Sequence, residues 1–348
     1  MRVAVVFHKN PFAAPTGIDL VRLRAITSGL IIRGIETNVI APVQHSGMLD
    51  GNIPVYGLNH FQESAPYDIV KTCYHDSIKL VPTKNKNIVS RIVRVVDSTF
   101  PERDNFFRTK LLECQKLICD RAVIVIFNNE ENRSRWIKFY GGSAQTEIVP
   151  TGCPLVIPPP IRNPYHTHKK ILLFLGSVAA VRILHMLNQL AEYMTDVAEI
   201  HLVGLNKAGM YGAGSGCELS PLIVNHGQKP EHDTWDYIYH ADAGLAFATG
   251  PQPFDNDMSK IYSYLRGGLP ILSEEPILNN ELVVGLQYGS VFGYGDLAAL
   301  ISRCRTLLIN PPIQKKDHVM ERMAADYSWD RRVDRYIELF KQLVGHGF

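Results

Sequence analysis

The sequence predicts an α/β chain of two Rossmann-like domains whose parallel sheets face each other across a cleft, and three observations predict it. Short apolar runs alternate with stretches of helical periodicity along nearly the whole chain. A proline-rich segment interrupts the alternation near the middle. The length, 348 residues, exceeds the roughly 150 usual for one domain.

The first apolar run, 2–7, reads as a buried strand; the residues after Gly17 repeat apolar side chains at helical spacing, and 36–42 reads as the next strand. A strand, a glycine-containing loop, a helix and a strand make a βαβ unit with a parallel sheet. Further strands are predicted within 67–73, 87–96, 122–127 and 146–150. Residues 150–170 hold six of the 21 prolines, a composition that disfavours both helix and central strand. The predicted division is therefore 1–160, 161–327 and a closing helix in 328–348. Beyond the prolines the alternation restarts, with strands at 170–177, 199–205, 222–227, 243–248 and 269–273 and helices at 179–194, 234–241 and from 259. The closing helix carries Val333, Tyr336, Ile337, Phe340 and Leu343 on one stripe. Ligands of such folds sit at the carboxyl ends of the strands, which places the expected site in the cleft.

A net charge of +2, from 36 basic and 34 acidic side chains, excludes a dedicated nucleic-acid binder, whose affinity comes mainly from phosphate contacts. Six scattered cysteines with no C-x-x-C pair, and no histidine cluster at ligand spacing, predict a reduced cytoplasmic setting and no metal. The N-terminal apolar run is too short for a signal sequence, and no run of 18 apolar residues occurs. Residues 84–110 are locally basic, with Lys84, Lys86, Arg91, Arg94, Arg103, Arg108 and Lys110 around Phe100, Phe106 and Phe107. That pattern suits peripheral contact with an anionic inner-membrane face, or a phosphorylated acceptor.

Chemistry is most legible in 255–275, DNDMSKIYSYLRGGLPILSEE. Lys260 stands at a predicted helix start, where a cation is normally unfavourable by a few tenths of a kcal/mol. Free backbone N–H groups at a helix N-terminus bind anions, and an ammonium there adds a charge suited to a diphosphate. The competing reading is a solvated lysine with Ser259 or Asp257 as helix cap. Ser263, one turn on, is within reach of a ribose hydroxyl, and Gly267-Gly268-Leu-Pro ends the helix. The D-x-D at 255–257 matches a metal motif, but 18 aspartates produce about one such match by chance. The glycine-rich run 210–217 lacks the spacing of a phosphate loop and reads as a surface loop. Asp97 follows an apolar strand, which suits a general base or a helix cap; His8, after the first strand, is a second base candidate.

The segment SKIYSYLRGGLPIL resembles the P-x-K-x-x-E-Y-L-A-x-G-x-P-V-V block of GT-B glycosyltransferases, family 4 in particular. The opening strand, loop and helix, EIVPTGCP, KILLFLGS and YSWDRRVDRYIELF resemble other blocks of that family in the same order, over almost the whole chain. The resemblance implies transfer of a sugar from a nucleotide-sugar to a glycan or lipid-linked saccharide, with no cofactor and no bound metal. It implies donor contacts from Gly17, Gly176, Ser177, Arg182, Asp255, Ser259, Lys260 and Ser263. Four places depart from the family: Ser263 replaces a ribose-binding glutamate, Asp255 is a shortened partner acid, Thr16-Gly17 stands for the glycine pair of the first loop, and Gly176-Ser177-Val178 replaces Gly-Arg-Leu. A nucleotide-sugar 2-epimerase of the same fold, or an inactive nucleotide-sugar-binding subunit, is the alternative.

Overall fold

The computed structural model describes residues 1–13, 17–96, 105–142, 144–207, 218–253 and 257–345, the side chains of 105–107 excepted. The chain divides into two compact units, Met1–Gly152 with Trp329–Phe348, and Cys153–Ser328. The proline-rich stretch belongs to the second unit from Cys153 onward.

Unit 1 is a sheet of eight strands, β1 (Arg2–Val6), β2 (Glu36–Ile40), β3 (Gly47–Leu49), β4 (Ile53–Tyr56), β5 (Ile69–Thr72), β6 (Ile88–Ile92), β7 (Ile124–Phe127) and β8 (Gln145–Ile148). The order is β3-β4-β2-β1-β5-β6-β7-β8. Every described pairing is parallel except that of β3 with β4, a short antiparallel hairpin at the edge. That hairpin departs from the all-parallel expectation: its strands are three and four residues long, too short for periodicity to reveal. The predicted strand 87–96 is likewise only Ile88–Ile92, and Val95 and Val96 beyond it are buried by packing instead.

Helices α1 (Ile18–Ile32), α2 (Leu58–Glu63), α3 (Asn105–Arg121) and α4 (Glu130–Tyr140) belong to this unit, with a 3-10 turn at His75–Leu80. The stripe of the last helix, Trp329–Val344, lies in the same core as α1 and the sheet, with Val333, Tyr336 and Phe340 almost fully buried. Contact is closest at Gly29, where a Cβ would stand 2.5 Å from Val333 Cγ2.

Unit 2 runs β9 (Lys170–Leu175), α5 (Val181–Tyr193), β10 (Ala198–Val203), β11 (Ile223–Asn225), α6 (Glu231–His240), β12 (Ala243–Ala246), α7 (Ser259–Arg266), β13 (Ile271–Glu274), α8 (Asn280–Gly285), β14 (Gly289–Phe292), α9 (Leu297–Ile309) and α10 (Lys316–Tyr327), and the last helix above is α11. The strand order is β11-β10-β9-β12-β13-β14, every described pairing parallel. Crossovers from β9 run outward to β10 on one side and, later in the chain, to β12 on the other, so the gap between β9 and β12 is the point where strand order reverses. Unit 1 has the equivalent point between β1 and β5.

Replacing Gly29 by alanine should separate α1 from α11. Overpacking against a stiff valine costs about 1–3 kcal/mol, of which the better helix propensity of alanine returns at most about 1. Urea denaturation of Gly29→Ala should therefore show a lower midpoint than wild type, and a midpoint equal to or above it would refute the close approach.

Candidate nucleotide-phosphate site

At the reversal point of unit 2 a pocket of about 260 Å3 opens, lined by the ends of β9 and β12 and the first turns of α5 and α7. Phe174, Leu175, Gly176 and Ser177 come from the first strand and its loop, Phe247 and Thr249 from β12, and Ser259, Lys260 and Ser263 from α7. The backbone fixes the glycines. Gly176 has φ +106, which side chains rarely adopt, and a Cβ on Gly204 would stand 2.0 Å from the Gly176 carbonyl oxygen. The β9 and β10 ends thus close on each other only as glycines.

Neither helix facing the pocket has a side-chain cap: Ala180 precedes α5, and Met258 precedes α7. Neither Ser259 nor Asp257 therefore serves as a side-chain cap at the start of α7. The start of α7 is instead held by Asn279, whose Oδ1 accepts from Met258 N at 3.0 Å and whose Nδ2 donates to Met258 O at 2.8 Å. Two helix starts whose N-cap residues make no side-chain cap bond point their N-terminal positive potential at the pocket. Into it comes Lys260, its ammonium 3.6 Å from the Phe174 ring centroid and close to Gly176. Among the described residues no carboxylate pairs with it, and burial pulls its pKa down to about 7. The unfavourable cation at the helix start is thus real, and the structure adds desolvation to it. α7 ends at Arg266, with Gly268 in the left-handed region at φ +67.

Arg182 does not line this pocket. Its guanidinium donates to both oxygens of Glu274, at 2.7 and 2.8 Å, and to Ala248 O, and lies 4.2 Å from the Tyr294 ring centroid. Glu274, at the end of β13, is fully buried and also accepts from Ala248 N at 2.8 Å and Gly295 N at 2.7 Å. A carboxylate removed from water requires such partners, and Arg182 supplies the countercharge. Glu274 thereby ties β12 to the loop after β14, and the tied residue Ala248 sits between the pocket-lining Phe247 and Thr249. The sequence reading passed over Glu274 because a Glu at a strand end looks like ordinary surface charge. Asp255 lies outside the described residues.

The reversal point of unit 1 brings together a different group. Gly17 is the N-cap of α1 at φ 135, belongs to unit 1 and is not among the residues that line the unit 2 pocket. His8, two residues past β1, is half-buried, stacked on Tyr74 with ring centroids 5.1 Å apart. Its Nδ1 is buried with no hydrogen-bond partner, and burial, then Lys9, lower its pKa, so the ring is neutral at pH 7. Directly after β5 stand Tyr74, His75 and Asp76, which the sequence reading did not single out. Their signal is present: a His-Asp pair at the carboxyl end of a central parallel strand. His75 is fully buried and desolvated to a pKa of about 3, so it stays neutral and does not reach a substrate. Burial raises the pKa of Asp76, but the hydrogen bond from Lys110, at 2.7 Å, and the charge of that ammonium outweigh it and hold the carboxylate ionised. Asp97 lies outside the described residues, as do all of 97–104.

The basic stretch 84–110 is partly spent internally. Arg91 is 1% exposed, and Lys84 donates to the carbonyls of Gln62 and Ser64. Arg91 is therefore core and not part of a docking surface. Among the described residues no group of three or more His, Cys, Asp or Glu side chains is placed to hold a metal ion, and no helix is long and apolar enough to cross a membrane.

Comparison with solved structures gives the fold class. Sucrose-phosphate synthase of Thermosynechococcus elongatus superposes with a TM-score of 0.75 at 15% identity, covering 98% of each chain. HepE of Anabaena, in complex with UDP-glucose, gives 0.72 at 13%, covering 98% of this chain and 100% of that one. WaaG, a glycosyltransferase involved in lipopolysaccharide biosynthesis, gives 0.59 at 12%, covering 98% and 97%. The chain has the GT-B fold of these structures. No protein-family model matches it, and neither does any curated protein sequence.

Glu274→Gln tests the tie behind the pocket. Each carboxylate oxygen accepts one Arg182 and one backbone N–H bond, so an amide nitrogen in either place faces two donors. Losing charge-assisted bonds worth about 1.5–3 kcal/mol each should lower unfolding free energy by at least one such bond, measured by urea denaturation.

Proposed function

We propose that the protein is a glycosyltransferase whose second unit holds a nucleoside diphosphate sugar at the β9/β12 pocket and whose first unit carries the base for an acceptor hydroxyl. One observation carries the reading: two helix starts without an N-cap side-chain bond, and a half-buried lysine ammonium with no carboxylate partner among the described residues, surround one pocket. Such an arrangement costs the free protein stability and is compensated when a diphosphate arrives. Ser177, Ser259 and Ser263 are proposed to hydrogen-bond the phosphates or ribose, and Gly176 to let the chain approach them. Arg182 is proposed to act behind the pocket through Glu274, and Asp255 is kept as a donor contact on the family resemblance alone. Lys260 and the helix starts supply the positive charge that a departing diphosphate needs, which makes transfer without a catalytic metal part of the proposal. In the reaction the bond from the anomeric carbon to the diphosphate oxygen breaks, a bond to the acceptor oxygen forms, and the acceptor proton passes to the base.

For that base we propose His8, neutral and half-buried at the end of β1, with Asp97 as the rival. His8→Gln or Asp97→Asn, whichever is the base, should cut turnover about 100- to 10,000-fold and leave donor affinity level. A glycan or lipid-linked acceptor is the finer part of the proposal; exposed Lys86 and partly exposed Lys110 support an anionic one, held at a membrane surface. UDP is the first nucleotide to test, and UDP-glucose the first donor, because HepE was solved with UDP-glucose.

Calorimetric titration with UDP and uridine decides the matter. Lys260→Met should weaken UDP by about 1.5–3 kcal/mol and leave uridine unchanged. Because bound phosphate favours the ammonium while the empty pocket holds the pKa near 7, wild-type affinity should fall about tenfold per pH unit above 7, and the variant's should not. The stability sign is opposite. Between about 7 and the ordinary 10.5 the unfolded chain binds the proton that the folded one has lost, so wild-type stability gains with rising pH across that window. Lys260→Met should abolish the gain. Equal UDP binding by both proteins would overturn the assignment.

A further inference from the structure

Unit 1 contains a buried cluster of cations that the carboxylates among its described residues do not balance. Lys71 on β5 and Arg91 on β6 point to the same side of the sheet, since Lys71 lies opposite Val89 in the parallel register and Arg91 is two residues on. Both are 1% exposed, and Arg22 of α1 is 4% exposed. Arg91 donates to Val149 O at 2.9 Å and to Asn128 Oδ1. Arg22 donates to Thr151 Oγ1 at 3.3 Å and has Asp19 3.6 Å away, but Lys9 shares that carboxylate at the same distance. Among the described residues Lys71 Nζ has no hydrogen-bond acceptor. It stands 4.9 Å from the ring centroid of Tyr336, the α11 side chain that closes the cluster, and the Tyr336 hydroxyl is also buried without a bond of proper geometry. Burial raises the Tyr336 pKa, yet Lys71, Arg91 and Arg22 together bring it below its ordinary value, which shows how strongly their charges converge.

Buried ammonium and guanidinium groups are costly unless paired, and a ring face offsets only about 2 kcal/mol for a desolvated cation. Among the described residues the cluster presents cationic donors, with the neutral Tyr336 hydroxyl as the one unused acceptor and no free anionic one. Water satisfies donors but leaves the charge. We propose that a small inorganic anion binds between β5, β6, α1 and α11, accepting from Lys71 and lying against Arg91 and Tyr336. It is distinct from the nucleotide pocket of unit 2 and does not depend on the function proposed above. Its role is to hold the closing helix on the sheet that carries His8 and Tyr74.

The test is thermal and urea unfolding of the full chain in sodium chloride, sodium phosphate and sodium gluconate at matched ionic strength. Binding to the folded state alone predicts that, above saturation, each tenfold increase in the bound anion raises the folding equilibrium constant about tenfold. Chloride and phosphate arms show which anion is taken, and gluconate serves as the bulky control. Lys71→Met, isosteric and apolar, should remove the dependence and fold as well as or better than wild type without added anion. A bromide soak of the crystallised protein should place an anomalous peak beside Lys71. The proposal fails if stability is the same in all three salts, if Lys71→Met keeps the wild-type dependence, or if absorbance near 295 nm at neutral pH, lost in Tyr336→Phe, shows that a tyrosinate already neutralises the cluster.

Discussion

Parallel pairing is the constraint on which the rest of the molecule depends. Two parallel neighbours require a crossover, here almost always a helix, so strand carboxyl ends and the N-termini of the following helices gather at one edge of a sheet. In unit 2 that edge brings together the ends of β9 and β12 with the starts of α5 and α7, residues far apart in the chain. In unit 1 it brings His8 beside Tyr74 and Asp76. Each group has the sign its place demands: positive potential with a lysine in one, and a neutral imidazole beside an ionised carboxylate in the other.

Charge removed from water recurs in three forms, and the partner differs each time. Glu274 is fully buried and fully satisfied, by a guanidinium and two backbone N–H groups, and acts as a strut. Lys260 is half-buried against an aromatic face, with no countercharge among the described residues. Lys71 is buried as deeply as Glu274 but lacks its partners. A satisfied buried charge reads as architecture, and an unsatisfied one as a site.

The fold was legible in the sequence to the level of class, because apolar runs of four to six residues in a parallel sheet need no partner to be recognised. Lys260, Ser259 and Ser263 were legible for a similar reason: they lie within one helical turn, and helix spacing alone puts them on one face. Arg182 was not. Its position in sequence marks it as a phosphate contact, but its partner Glu274 is 92 residues away, and only folding reveals which anion it meets. The edge hairpin β3–β4 and the buried fate of Arg91 escaped in the same way.

The sequence by itself determined the alternation of strand and helix, the break at the prolines, the apolar stripe of the closing helix and the cation at the start of α7. These are local properties, set by periodicity, backbone restriction and spacing within a few residues. Tertiary structure alone decided that two helix starts share a pocket with Phe174, that Lys260 loses its water there, that His75 is too deep to act, and that three cations meet beneath Tyr336. The reason is physical: desolvation and charge pairing depend on which distant segments the sheet order brings together, and no window of neighbouring residues carries that information.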